Sequence, residues 1–175
     1  MNYATIKWTD IANGEGVRIS LFVSGCTHHC KNCFNQVAWD FHYGELFDET
    51  VQGKILQELS KDYIAGLSLL GGEPLEPQNQ IALYPFIQKV RALYPHKTIW
   101  CYTGHTFNEK QGVLHEEEKN IDCTKHLISM FDVLVDGPFV QDLKDIRLKF
   151  RGSSNQRIID VKKTLELGEI ELYLE

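Results

Sequence analysis

The chain has 175 residues, 43% of them apolar, and a formal net charge of −6, which suits one domain with a substantial buried core. It has no basic run, so it lacks the electrostatic footprint of a nucleic-acid binder, and no stretch nears the ~18 consecutive apolar residues of a membrane span. Five cysteines, an odd number with three clustered, argue against a disulfide framework and for a reducing compartment. The opening Met1–Lys7 has no apolar signal region, so the expectation is a cytoplasmic protein, a single domain over residues 1–175.

Residues 1–18 read as a lead-in strand and a turn through Asn13-Gly14-Glu15-Gly16, where glycine permits positive φ. The apolar run Ile19–Val23 is a strand that passes directly into Gly25-Cys26-Thr27-His28-His29-Cys30-Lys31-Asn32-Cys33-Phe34. Thiols spaced C-x3-C-x2-C read as a metal site, since soft thiolates select zinc or iron–sulfur clusters. A structural zinc takes four ligands, which His28 or His29 could complete as a three-cysteine, one-histidine knuckle. Three thiols alone suit a 4Fe-4S cluster that keeps one iron open. The aromatic stretch Gln36–Phe47, with Trp39, Phe41 and Tyr43, is expected to cover this loop. Val51, Ile55, Leu56 and Leu59 then recur at helical spacing, with Asp48 or Thr50 as cap.

A buried strand, Gly66–Leu70, ends in Gly71-Gly72-Glu73-Pro74. Glycines at a strand's carboxyl end let a ligand reach backbone that a Cβ would shield. Leu83, Phe86, Ile87, Val90 and Leu93 mark an amphipathic helix. Thr98–Tyr102 is a strand ending at Thr103-Gly104, and within it Cys101 reads as a small buried hydrophobe. Residues 106–130 are expected to be helical, with Glu116-Glu117-Glu118 a solvated face. Phe131–Val135 is a further strand, ending at Asp136-Gly137-Pro138. The turn-rich Arg151–Arg157 precedes Ile158–Val161, and Ile170–Leu174 is an edge strand or an ordered tail. Strands alternating with helices imply a parallel sheet with right-handed crossovers. The chain is short of the ~250 residues of an eight-stranded barrel. The expected fold is therefore α/β, an open partial (βα) barrel of about five or six parallel strands with outer helices.

The cysteine spacing followed by an aromatic, Phe34, resembles the signature of the radical S-adenosylmethionine superfamily, and Gly71-Gly72-Glu73-Pro74 is similar to its second motif. Within it, the Asn13-Gly14-x-Gly16 turn, the stretch Val133–Asp145 and Arg151-Gly152-Ser153-Ser154-Asn155-Gln156 resemble the activases of anaerobic ribonucleoside-triphosphate reductase, from about residue 1 to about residue 160. The resemblance implies that Cys26, Cys30 and Cys33 hold a 4Fe-4S cluster whose open iron chelates S-adenosylmethionine. The backbone of Asn32, Cys33 and Phe34 would lie against adenine, and Gly72 would meet the methionine amino group with Glu73 assisting. Cleavage of the cofactor would yield a 5′-deoxyadenosyl radical that takes a hydrogen from a glycine of the reductase's large catalytic chain. Homolytic chemistry assigns no side chain as acid, base or nucleophile. A low-potential donor such as flavodoxin would supply the electron. Thr103, Asp136 and Ser153-Ser154-Asn155 are candidates for the remaining cofactor contacts. The segment between Thr103 and Asp132 and the tail beyond Asp160 are longer than the resemblance leads one to expect. The alternatives are the activase of another glycyl-radical enzyme, a small-molecule radical enzyme such as a deazaguanine synthase, and the zinc knuckle, which leaves Gly71–Pro74 without a role.

Overall fold

The computed structural model describes residues 1–175. β1 (Asn2–Asp10) and β2 (Val17–Val23) are joined by a tight turn through residues 11–16 and pair antiparallel, as a connection too short for a crossover requires. β3 (Glu45–Leu46) adds to the outer side of β1. α1 (Glu49–Leu59) begins at Asp48, whose carboxylate accepts from the Val51 N–H and so satisfies one of the helix's unpaired donors. β4 (Ile64–Gly71), α2 (Pro77–Leu93) and β5 (Thr98–Tyr102) follow as a crossover unit, with β2, β4 and β5 all parallel.

The segment expected to be one long helix is mostly something else. β6 (Phe107–Asn108) and β7 (Val113–Leu114) form a small hairpin, residues 117–119 make a single 3-10 turn, and only α3 (Thr124–Ser129) is α-helical. Gly112 at φ +71 donates its N–H to the Asn108 carbonyl and turns the chain back, a conformation that a helix interior does not permit. β8 (Val133–Asp136) then lies parallel to β5.

From β8 the chain returns through residues 137–156 without an α-helix, so β9 (Arg157–Asp160) pairs antiparallel to β8. α4 (Val161–Leu167) starts at Asp160, which accepts from the Lys163 N–H, and ends at Gly168 in the left-handed region. β10 (Leu172–Leu174) closes the edge against β9. The strand order is β10-β9-β8-β5-β4-β2-β1-β3. The parallel set numbers four, β2, β4, β5 and β8, where five or six were expected.

Alternation along the strands sorts the two faces of the sheet. Ile19, Leu21 and Val23 of β2, Leu67 and Leu69 of β4, Ile99 and Cys101 of β5 and Leu134 of β8 pack with residues of all four α-helices in one cluster of 24 buried side chains. Each fully buried aliphatic side chain there contributes about 1.5–3 kcal/mol. The opposite face carries a smaller cluster of Trp100, Val133, Val135 and Ile158, against which Tyr102, Phe150 and Leu174 pack. Buried Arg18 lies on this face without a carboxylate, donating to Ser68 Oγ, Thr98 Oγ1 and the carbonyls of Glu15, Leu67 and Thr98. Burial draws its pKa down to about 10. It ties the starts of β2 and β5 to β4, at the end of the sheet away from the cysteine loop.

Candidate active site

The carboxyl ends of β2, β4, β5 and β8 release four loops: the cysteine loop, Gly72-Glu73-Pro74, Thr103-Gly104 and Gly137-Pro138. Strand carboxyl ends are where α/β sheets place ligands. Here the loops enclose a cleft of about 450 Å³ lined by Cys26, Cys30, Cys33, Gly72, Glu73 and Thr103 among others. Asn32 and Phe34 line it as well, so the three cysteines, Asn32, Phe34, Gly72, Glu73 and Thr103 face one space, whereas Asp136, Ser153, Ser154 and Asn155 are not among its lining residues. Phe34 does so from the mouth, with its ring 85% exposed. A hollow of about 520 Å³ beside Ile81, Tyr84 and Cys123 lies elsewhere and is apolar and open to solvent, with no converging polar groups.

The cysteine loop has little regular structure and is held from outside. Gly25 and Cys26 donate their N–H groups to the carbonyls of Ala38 and Trp39 at 2.7 and 3.2 Å. Gly25 sits at φ +102 with the Phe41 ring where a Cβ would be, and His29 and Asn32 also have positive φ. This winding turns backbone donors toward the sulfurs. The Asn35 N–H donates to Cys33 Sγ at 3.5 Å, and the backbone amides of His28 and His29 beside Cys26 and of Phe139 beside Cys30 favour the thiolate forms. Amide hydrogen bonds to cysteine sulfur stabilise thiolate ligands and tune an iron–sulfur centre, so the residues present fit a thiolate-held cluster. Burial nevertheless pushes the Cys26 thiol up to about 12, and metal must therefore displace its proton on binding.

Glu73 is the residue that joins the loops. It is 1% exposed, and both carboxylate oxygens are in use. Oε1 accepts from the Leu75 N–H and Thr103 Oγ1, each at 2.8 Å; Oε2 accepts from the Gly104 N–H at 2.7 Å and His28 Nε2 at 2.8 Å. Its own N–H donates to the Gly25 carbonyl. Burial alone would raise its pKa, but the bond from His28, the nearby His105 and the Gly104 N–H outweigh burial and hold it below the ordinary carboxyl value. Burial would lower the pKa of His28, and the bond to Glu73 overcomes this and raises it. His105 packs on His28 with ring centroids 4.3 Å apart and neither of its ring nitrogens bonded. Ligand atoms of His28, Glu73 and His105 lie within 4.8 Å of one another. With every acceptor direction of Glu73 taken by a donor, this trio is a neutralised buried carboxylate rather than a metal centre.

Several sequence-based assignments change in this light. Glu73 is occupied by the protein itself and is not free to assist a cofactor. Thr103 donates to Glu73, Asp136 is held by Arg157 and the Phe107 N–H, Ser153 accepts from the Val140 N–H, and Asn155 donates to the Pro138 carbonyl. These candidates serve the loops. His28 is spent on Glu73 and His29 stacks on Trp39 at 4.3 Å, so neither is presented as a fourth ligand to zinc. Gly72 lines the cleft but commits its N–H to the Val23 carbonyl at 2.7 Å, so that N–H is not free for a ligand. Glu116 accepts from the Thr106 N–H, so it is not simply solvated. Lys119 bonds to Glu76 and Thr27 at 3.0 Å each, and Glu76 accepts the Thr27 N–H and hydroxyl. The long 104–131 segment thereby braces the cysteine loop. Trp39 lines the cleft, as expected of the aromatic stretch that covers the loop, while sequence reasoning missed Tyr102, Lys144, Leu148, Phe150 and Arg151 as lining residues. Strand parity could have found Tyr102, two places from Trp100; the others depend on loop paths.

The fold and the thiol-lined cleft define an iron–sulfur protein, and a family model described as a 4Fe-4S single cluster domain matches residues 12–159. Among characterised proteins, the chain is 44% identical over 160 residues to the anaerobic ribonucleoside-triphosphate reductase-activating protein of Pasteurella multocida, covering 90% of this chain and 96% of that one. It is 40% identical to the same-named protein of Escherichia coli K12, over 89% of this chain and 96% of that one, and 39% identical to that of Enterobacteria phage T4, over 90% and 93%. The chain belongs to the family of anaerobic ribonucleoside-triphosphate reductase-activating proteins, and is an activating enzyme.

Proposed function

We propose that this protein activates anaerobic ribonucleoside-triphosphate reductase by forming a glycyl radical on the reductase's large chain, using S-adenosylmethionine at a 4Fe-4S cluster held by Cys26, Cys30 and Cys33. The observation that carries the reading is the meeting of the three cysteines and Gly72 in one cleft at the carboxyl ends of parallel strands. A cluster held by the three cysteines would supply one electron to the cofactor's sulfonium, and the cleaved cofactor would leave methionine and provide the 5′-deoxyadenosyl group that takes a hydrogen atom from a glycine Cα. In that complex the chain's own residues bind and orient. Gly72 would meet the methionine amino group through its carbonyl, since its N–H is committed to Val23, and the backbone of Asn32, Cys33 and Phe34 would lie along the adenine. Glu73 fixes the distance between the cysteine loop and the β4 and β5 ends.

Helices packed on one face of the sheet only support reading the architecture as an open partial barrel, with the cleft at its top. A low-potential flavodoxin-type donor is the electron source in this proposal, and a reducing cytoplasm its setting. No helix is long and apolar enough to cross a membrane. The test is anaerobic reconstitution with iron and sulfide, reduction, and EPR with and without S-adenosylmethionine. The expected result is a reduced-cluster signal that changes on adding the cofactor, together with release of 5′-deoxyadenosine. A colourless protein that binds one zinc and ignores the cofactor would overturn it.

A further inference from the structure

The loop between β8 and β9 forms one wall of the cleft and has two unlike sides. Its base is pinned: the Ser154 N–H donates to the Leu143 carbonyl at 3.0 Å, Lys144 and Ser153 form a β-bridge, and the Asp145 N–H reaches the Gly152 carbonyl at 3.4 Å. Phe150 takes a left-handed backbone, φ +59, and its ring packs edge-on against Trp100 at 5.3 Å, an anchor that offsets the strain of that conformation. Lys144, Leu148, Phe150 and Arg151 line the cleft. Ile146, Arg147 and Lys149 are exposed and are not among the lining residues. Ile146 is 91% exposed, an isolated apolar side chain at the tip of an otherwise anchored loop. From Lys144 to Arg151 the loop carries four cations and one carboxylate, in a chain whose net charge is −6.

We propose that residues 143–151 are a docking strap for the protein substrate, gripping a glycine-bearing loop of the reductase's large chain whose neighbouring surface is acidic. This rests on the function proposed above. Hydrogen abstraction needs the two carbons at roughly 3–3.5 Å, so the target glycine must enter the cleft and its flanking chain must cross the rim. The strap combines an exposed apolar tip with a local excess of three positive charges, more than the single Lys31 beside exposed Phe34 on the cysteine loop. Ile146 is the apolar contact, while Arg147 and Lys149 steer the acidic partner and set its register, the role that rim charges fill best.

The experiment measures binding of the reconstituted protein to the reductase large chain from the same organism, with uncoupled S-adenosylmethionine cleavage by dithionite-reduced protein measured in parallel. For Arg147→Glu/Lys149→Glu the expected rise in Kd is about tenfold at low salt, shrinking toward about twofold at high salt. For Ile146→Ser it is about three- to tenfold and insensitive to salt. Lys89→Glu/Lys162→Glu, the same charge change on exposed helical positions, leaves Kd within about twofold. All variants should keep uncoupled cleavage, which shows that the fold and the cofactor chemistry are intact. Wild-type Kd retained by both strap variants overturns the docking proposal, as does an effect on self-association, read by sedimentation, in place of large-chain binding. Absence of cleavage in every protein, wild type included, instead overturns the proposed function while the binding measurement still reads the strap.

Discussion

Glu73 shows how one side chain can organise a site without touching a reactant. A buried carboxylate is costly unless its lone pairs are satisfied, and here four donors from four positions, 28, 75, 103 and 104, meet it. Glu73→Gln keeps the volume but turns one acceptor into a donor that faces two donors. The expected cost is about 2–3 kcal/mol at neutral pH, read from urea unfolding. The pH dependence has a definite sign. Because the folded carboxyl titrates below its ordinary 4.5, its contribution is complete above that value and is lost as the pH falls through the depressed one. The stability gap between wild type and variant should therefore narrow in acid. A gap of constant size from neutral pH down to about pH 3 would mean that the charge of Glu73 does not matter.

The elements around the site meet through glycine backbone. A Cβ on Gly72 would lie 2.6 Å from the Gly25 carbonyl oxygen and 2.8 Å from that of Ala38. One belongs to the cysteine loop and the other to the segment that holds it, and the two are tied by the Gly25–Ala38 hydrogen bond, so both must move together. Gly72→Ala should cost about 1–3 kcal/mol and lower the iron retained per protein after desalting. Gly53→Ala, on α1 with nothing within 4 Å of the added Cβ, should instead stabilise by about 0.5–1 kcal/mol. If both substitutions left iron content unchanged, close approach at Gly72 would not be what shapes the cleft. At this scale the sequence was readable wherever a period was long enough. Thr98–Tyr102 is the strand that the apolar run marks, and α1 begins where Asp48 can cap it. It was least readable over residues 106–130, where a two-residue strand pair stabilised by one turn leaves no period to detect. The grouping of the three thiols was legible because they fall within eight positions, and the structure brings them to one cleft. The Glu73 network was not, since its partners converge only once β4 and β5 are side by side.

The whole molecule separates a packed scaffold from the loop that carries the thiols. The main core joins residues of seven strands, β2 and β4 to β9, and of all four helices without any cysteine of the loop taking part. The cysteine loop is attached to that scaffold through Glu73, Glu76 and the Ala38–Trp39 carbonyls. A small zinc module has the opposite design: the metal supplies the folding energy, and chelation unfolds it. The triple variant Cys26→Ala/Cys30→Ala/Cys33→Ala should accordingly fold, with native far-UV circular dichroism and a cooperative denaturant transition within about 1–2 kcal/mol of the metal-free wild type. It should hold no iron. Loading the wild type with cluster should then slow hydrogen exchange mainly between residues 26 and 39, because binding stabilises the state that the loop must adopt and leaves β4, β5 and β8 at the protection they already have. An unfolded triple variant, or protection gained uniformly along the sheet on loading, would mean that the metal builds the fold instead of occupying it.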